Sequence, residues 1–396
     1  MSSPQRQFHR WGAAPWTIDF VPARQPLPPE ADFAIVGAGF TGLAVAASLR
    51  SQAPGASVVV LEAGGIGAGA SGRTGGMVLA ESAAGDLPGL GDVLAGLTQI
   101  LSELARASGV PIAEHAQFAL PGAWEIARHG LHREDSPIDW QDSGALRVVN
   151  EVPGGTLDPG KMVEALARAA ERLGAIIFEN TRVENVRWNE TGGELHFASG
   201  KLRAGKILLA TNALSLDIAH LTQGMHPKLT LAAATAPIHD ARLEYLGLAH
   251  RKPFYTNDLP YLWGRVCADN SIVWGAGLLD PPNAGTLEDV DVSSGDATRI
   301  FASLERRIRR LKPGFEDLAF THRWGGPILF RENWTPVFSH HPESRDGIVI
   351  AAFAGHGVAL SSYLGHWAAE AMLGRRALPA WGRIQPQNLR GDVSKI

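Results

Sequence analysis

Three closely spaced glycines followed by a carboxylate are the residues of this chain best suited to hold a charged ligand. The run is Ile35-Val36-Gly37-Ala38-Gly39-Phe40-Thr41-Gly42, and Glu62 ends the next apolar stretch, Val58-Val59-Val60-Leu61. Each part has its own physical task. Gly37 permits a tight turn out of a strand, Gly39 lets backbone approach a pyrophosphate, and Gly42 lets the following helix lie close to the sheet. A helix starting at Phe40 and Thr41 turns free N–H groups and the positive end of its dipole toward the phosphates. Glu62, with Ala63 beside it, stands where a carboxylate accepts from ribose hydroxyls; an acid there disfavours a 2′-phosphate, so FAD or NAD suits the pattern better than NADP. In a chain with 45 glycines the motif alone is weak. Here it follows a strand, opens a helix and meets its acid at the expected distance, which is the context that gives it meaning.

The next segment separates FAD from NAD. Gly67-Ala68-Gly69-Ala70-Ser71-Gly72-Arg73-Thr74-Gly75-Gly76 is a second glycine-dense stretch directly after the second strand, and small residues let such a loop pass its N–H groups along a flavin ring. With this segment the chain resembles the FAD-dependent oxidoreductases of the D-amino-acid oxidase superfamily. It is most similar to the γ-glutamylputrescine-oxidase-like and sarcosine-oxidase-like amine oxidases, whose Ala-Ser-Gly-Arg-Asn-Gly-Gly segment is present with Thr74 in place of Asn. The resemblance covers residues 31 to 374 in four motif blocks. It implies an α/β fold with a Rossmann-like FAD-binding domain and a β-sheet substrate domain of α+β character, as in the glutathione-reductase-type fold. It further implies that the Val183 backbone contacts the adenine, that Ala210 and Thr211 lie near the dinucleotide, and that the Gly355-His356-Gly357-Val358 turn aims a helix dipole at the flavin pyrimidine edge.

Behind these residues stand the elements that must position them. Residues 1–30 are Pro-rich, with Trp11, Trp16 and Phe20 available to fasten an arm to the body. The FAD-binding domain is expected to be discontinuous, from 31–85, 155–226 and 323–380, and the substrate domain to comprise 86–154 and 227–322, leaving 381–396 as a tail. Asp158-Pro159-Gly160 signals a helix start. Leu90, Leu94, Leu97, Leu101 and Leu104 carry helical periodicity and are expected to begin the excursion away from the dinucleotide sheet. In the second domain, Tyr261, Trp263 and Arg265 alternate along one strand and share a face, with Ser271 to Gly275 as hairpin partner. That face reads equally as a roof over a ligand or as an ordinary half-exposed sheet.

Bulk properties exclude several classes. A net charge of −4 gives no footprint for nucleic acid. Arg306-Arg307-Ile308-Arg309-Arg310, the one dense basic run, lies on an amphipathic helix and is expected to be a solvated face. A single cysteine, Cys267, excludes an internal disulfide and a C-x-x-C zinc pair, which fits a reducing cytoplasm. The N-terminus lacks a signal-peptide layout, no apolar stretch comfortably spans a bilayer, and neither a metal nor a membrane partner is expected.

The resemblance implies oxidation of a C–N bond in a small amine or amino acid, by hydride transfer to flavin, with the imine hydrolysed to a carbonyl product. No side-chain acid or base is obligatory if the amine arrives deprotonated. His356, Arg265 and Tyr261 are the catalytic candidates; Tyr261, Trp263, Arg265 and Arg331 are candidates for the substrate, with Arg73 a further cation for a substrate carboxylate. Two departures matter. Gly325 to Phe330 carries no cysteine, so the FAD is expected to be non-covalent. No lysine occupies Ile272 to Gly275, where sarcosine-type oxidases place one to promote reaction with oxygen. Two alternatives therefore stand beside an oxidase: a flavin dehydrogenase with another electron acceptor, and a non-catalytic flavin-binding protein.

Overall fold

The strands Glu30–Val36 and Val58–Leu61 are built almost wholly from Val, Ile, Leu, Ala and Phe near their ends. Strands without alternation belong inside a parallel sheet covered on both faces, and that is where they lie. The computed structural model describes residues 10–130, 133–214, 216–221, 223–282 and 285–384. In it Glu30–Val36 pairs in parallel with Val58–Leu61 and with Gly200–Leu209. Ile176–Phe178 and Ser344–Ala351 extend the sheet in parallel, and Val337–His341 closes one edge antiparallel. Val183–Asn189 and Gly192–Phe197 hang from Gly200–Leu209 as an antiparallel ribbon.

One face of this sheet carries helices Phe40–Gln52, Pro159–Arg172 and Gly357–Met372. Phe40–Gln52 is buried without interruption from Phe40 to Leu49 because it lies between the sheet and Gly357–Met372. The two helices approach closely at Gly365, where a Cβ would stand 2.9 Å from Thr41 O. Asp158 caps Pro159–Arg172 by accepting from the Lys161 N–H at 2.9 Å.

The second sheet has the order Phe320–Arg331, Met225–Thr235, Ile272–Leu279, Trp263–Val266, Phe254–Thr256, Ala123–Ala127, Ala145–Val152, Trp140–Gln141. Its back is filled by Trp140, Phe254, Trp274 and Phe315, with neighbouring ring centroids 5.1 to 5.7 Å apart, and by helix Gly295–Arg310. The arginines of that helix are not one solvated face. Arg306 and Arg310 are exposed, but Arg307 donates to Asp142 Oδ2 at 2.6 and 2.8 Å, and Arg309 pairs with Glu305.

Two domain boundaries differ from those expected. Helix Val93–Ser108 buries Leu97, Ile100, Leu101 and Leu104 in the same core as Phe40–Gln52 and Gly357–Met372, so the chain does not leave the dinucleotide domain at residue 86. Phe320–Arg331 pairs along its length with Met225–Thr235, so residues 323–331 belong to the second sheet and the return falls nearer Val337. Each misassignment comes from packing between segments distant in sequence. The arm is integral as well: Gly325 N–H donates to Trp11 O at 2.7 Å, and Trp16 Nε1 donates to Gly72 O at 2.7 Å. Of the tail, residues 385–396 lie outside the described residues, as do residues 1–9 of the arm. Among the described residues no helix is long and apolar enough to cross a membrane.

Candidate active site

A cavity of about 820 Å³ is lined by the ends of both sheets. On the dinucleotide side the chain leaves Glu30–Val36 through Gly37, whose φ of 105° is a left-handed conformation that favours glycine. A Cβ on Gly42 would lie 1.9 Å from Gly37 O, so the helix can start only where residue 42 has no side chain. Gly37, Gly39, Phe40 and Thr41 line the cavity. Ser71 Oγ accepts from the Phe40 N–H at 2.9 Å, completing a helix start that Gly39 cannot cap with a side chain.

Glu62 also faces the cavity. Its two oxygens accept from the Ala38 N–H at 2.8 Å and the Gly64 N–H at 2.9 Å, which leaves lone pairs for further donors. Burial raises its pKa above the ordinary carboxylate value, against the lowering effect of those two amides. Val183 lines the cavity nearby, as do Arg182 and Glu288, joined across the two sheets by a 2.7 Å ion pair. Ala63, Ala210 and Thr211 are in the wall. Asn212, next in the chain, accepts from the Ala352 N–H at 3.0 Å and so fixes the exit of Ser344–Ala351. That exit is strained: Ala352 and Ala354 have φ of 60° and 49°, conformations costing an alanine on the order of 1 kcal/mol. It delivers Gly355, His356, Gly357 and Val358 to the cavity. His356 is the N-cap residue of Gly357–Met372 without capping it through its side chain. Burial depresses its pKa below the usual histidine value.

Ser71, Arg73, Thr74 and Gly75 line the cavity, whereas Gly42, Gly72 and Gly76 do not. These three serve close packing: the Gly72 N–H donates to Gly67 O at 2.9 Å, and a Cβ on Gly76 would meet Leu157 O at 2.3 Å. Arg73 gives Nε to Ala68 O at 3.1 Å and Nη1 to Gly12 O at 2.8 Å, and burial lowers its pKa to about 10.

The second sheet forms the opposite wall. Trp263 lies between two glycines, since a Cβ on Gly75 would fall 2.2 Å from its ring and one on Gly275, its cross-strand partner, 1.9 Å. Tyr261 stands in the wall near the mouth, exposed. Arg265 does not join them. It shares the face of Trp263 but is buried, its Nε donating to Gly75 O and its guanidinium 5.9 Å from the Trp16 ring centroid; alternation along the strand holds, and the Gly75 carbonyl and the arm cover this position. Arg331 is also turned away, with Nη2 on Arg383 O at 2.8 Å and Nη1 on Thr335 Oγ1 at 3.3 Å. Neither arginine lines the cavity.

Sequence reasoning missed much of this wall. Met77, Leu79, Leu259, Leu278, Phe330 and Trp334 all contribute to it. One available signal was the period-two series Gly326, Ile328, Phe330, which shares a face of Phe320–Arg331. Ser361 was missed as well. Its buried Oγ has no hydrogen-bond partner and it lies in the cavity wall. An orphaned hydroxyl, a carboxylate with open lone pairs and a helix N-terminus in the wall together fit a long ligand bearing hydroxyls and phosphates, as FAD does. Among the described residues no group of three or more His, Cys, Asp or Glu could hold a metal ion.

Comparison with known proteins agrees with this geometry. The family model DAO, FAD dependent oxidoreductase, matches residues 32–371. A glycine oxidase of Geobacillus kaustophilus is 26% identical, over 84% of this chain and 90% of that protein. The γ-glutamylputrescine oxidoreductase of Escherichia coli is 24% identical, over 87% of this chain and 84% of that protein. Among solved structures, the L-amino acid deaminase of Proteus myxofaciens in complex with anthranilate superposes with a TM-score of 0.70 at 15% identity, over 94% and 95% of the two chains, which is a likeness of fold.

Proposed function

The chain belongs to the DAO family of FAD-dependent oxidoreductases, and from that premise we propose that it oxidises the C–N bond of a small amine or amino acid at the cavity between its two sheets. FAD, when bound, supplies the acceptor for a hydride from the carbon beside the substrate nitrogen. In this reading the Thr41 N–H and the dipole of the helix that starts at Phe40 would hold the pyrophosphate, Glu62 the ribose, and the segment at Val183 the adenine. Ser361 Oγ offers a further hydrogen bond to the cofactor. The helix beginning at Gly357 has its N-terminus in the cavity wall, where its dipole would favour negative charge on a bound flavin. Trp263 and Tyr261 orient the substrate, and Met77, Leu79 and Ile328 keep water away from it. Attachment of FAD is non-covalent: the one cysteine, Cys267, lies beside the hairpin turn of the second sheet and outside the cavity wall.

The observation that carries the reading is the continuity of one cavity from the dinucleotide turn to Tyr261 and the Trp263–Val266 strand. The test is an anaerobic screen of the holoprotein against amines, N-methyl amino acids and D-amino acids, reading loss of the oxidised flavin band. Bleaching by members of these classes is expected; no bleaching by any of them removes the C–N assignment. A second reading concerns the electron acceptor. No lysine lines the cavity among the described residues, which favours an acceptor other than oxygen, and slow reoxidation in air after anaerobic reduction is its signature.

A further inference from the structure

Two cations line the cavity among the described residues, Arg73 and Arg182, and both are engaged by the protein. Besides its bonds to Ala68 O and Gly12 O, Arg73 reaches Gly325 O at 3.3 Å. Arg182 is paired with Glu288, itself in the wall at the Val183 side. Arg265 and Arg331 are spent behind the wall on carbonyl and hydroxyl oxygens. The mouth has the opposite character. Seven large apolar side chains are exposed among the described residues, and four of them, Leu259, Tyr261, Leu278 and Trp334, line this cavity. Clustering of that kind marks a surface that receives an apolar ligand, and here it continues into an interior of Met77, Leu79, Ile328 and Phe330. Negative charge stands alongside: Glu125 accepts from Tyr255 Oη at 2.8 Å, and the Tyr255 ring lies 6.4 Å from that of Tyr261.

We propose that the substrate is an amine with an apolar body and without a carboxylate on the carbon that loses hydride, an alkyl or arylalkyl amine rather than an amino acid. The inference rests on the C–N oxidation reading and narrows it. An α-carboxylate entering this cavity gives up its hydration and finds its potential guanidinium partners already bonded, a desolvation cost without compensation. An apolar body gains by leaving water for the rim. In the reaction the carbon beside nitrogen gives up hydrogen with its electron pair to FAD, and the nitrogen releases a proton to water. The resulting imine takes up water, giving a carbonyl compound and ammonia or the shorter amine.

Binding tests this apart from turnover. Neither 2-phenylpropan-2-amine nor 2-amino-2-phenylpropanoic acid has a transferable hydrogen, and they differ at the carboxylate. Calorimetric titration of the holoprotein is expected to give a Kd about 100-fold lower for the amine. Equal affinity, tighter binding of the acid, or no binding of either overturns the proposal. Leu278→Arg, which places a cation at the exposed rim, is expected to reduce that ratio about tenfold; an unchanged ratio overturns the assignment of this rim to the substrate. In anaerobic stopped flow, N-methylbenzylamine is expected to bleach the flavin faster than N-methylphenylglycine. Faster bleaching by the amino acid overturns the substrate class while leaving C–N oxidation standing, whereas absence of bleaching across the wider amine and amino-acid screen removes C–N oxidation itself.

Discussion

At one end the cavity wall is largely backbone, Gly37 to Thr41 and Ala210 to Asn212, while at the other it is side chains, Tyr261, Trp263, Leu278, Ile328 and Phe330, most of them projected from the hairpin of Trp263–Val266 with Ile272–Leu279 and from Phe320–Arg331, whose partner Met225–Thr235 lies far away in sequence. The two ends also treat polar atoms differently. Around Glu62 and Ser71, backbone N–H groups and side-chain oxygens answer one another at 2.8 to 2.9 Å, whereas the sheet end is mostly apolar. A backbone wall cannot adjust to a substitution at a turn glycine, but a side-chain wall can repack. In the proposed reading the cofactor is held at the rigid end and the substrate is chosen at the adaptable one.

The harshest way to break this comparison is Gly42→Ala. Its Cβ would overlap Gly37 O, a backbone atom with nowhere to move, so the purified protein is expected to lack FAD. Leu259→Ala at the exposed rim is expected to retain it. Absorbance at 450 nm on an order-of-magnitude scale of occupancy decides between them; full FAD content in Gly42→Ala means that the turn is not rigid. Gly39 is the more forgiving neighbour, since a Cβ there meets only the Ser71 hydroxyl, at 2.7 Å.

Arg265→Met probes the seam between the ends. Its Nε serves the Gly75 carbonyl from the opposite sheet, and removing a buried charged donor costs about 1.5 to 3 kcal/mol. Denaturant unfolding is expected to register that loss while FAD remains bound. Unchanged stability together with lost substrate affinity restores Arg265 to the substrate wall. A smaller effect is expected of Glu62→Gln. Both oxygens now accept from backbone N–H groups, so an amide must turn its NH₂ toward one of them; FAD affinity is expected to weaken by about 1 to 2 kcal/mol, measured by titrating the apoprotein with FAD.

The same contrast explains what was legible in the sequence. The Gly37–Gly42 turn, Glu62 and the Gly355–Val358 turn are encoded within a few residues of themselves, and their local chemistry names their place. Arg265 was misread because strand alternation predicts a face but not that Trp16 of the arm and the Gly75 carbonyl would occupy it. Arg331 was misread because its partners, Thr335 and Arg383, lie past the strand end. Helix Val93–Ser108 displays a clear apolar stripe, yet a stripe does not say which core receives it. Trp263 was placed on its strand correctly, but the glycines that make room for it, Gly75 and Gly275, sit in two other segments.

The finest test concerns protons at the junction of the two ends. Burial depresses the His356 pKa below its ordinary value, which favours the neutral imidazole. If the wall supplies no base and the bound amine must itself be neutral, the rate of flavin reduction should rise with pH through the ionisation of the substrate. Its midpoint should then follow substrate basicity: a ring-substituted benzylamine about one pKa unit less basic should move the midpoint down by about one unit. His356→Asn should leave that midpoint where it was, because the group titrating lies on the substrate. Deuterium on the carbon beside nitrogen should slow reduction at every pH without moving the midpoint. A midpoint indifferent to substrate basicity and abolished in His356→Asn gives the opposite answer: the proton then leaves through the helix-terminal histidine, and the dinucleotide end contributes a base as well as a cradle.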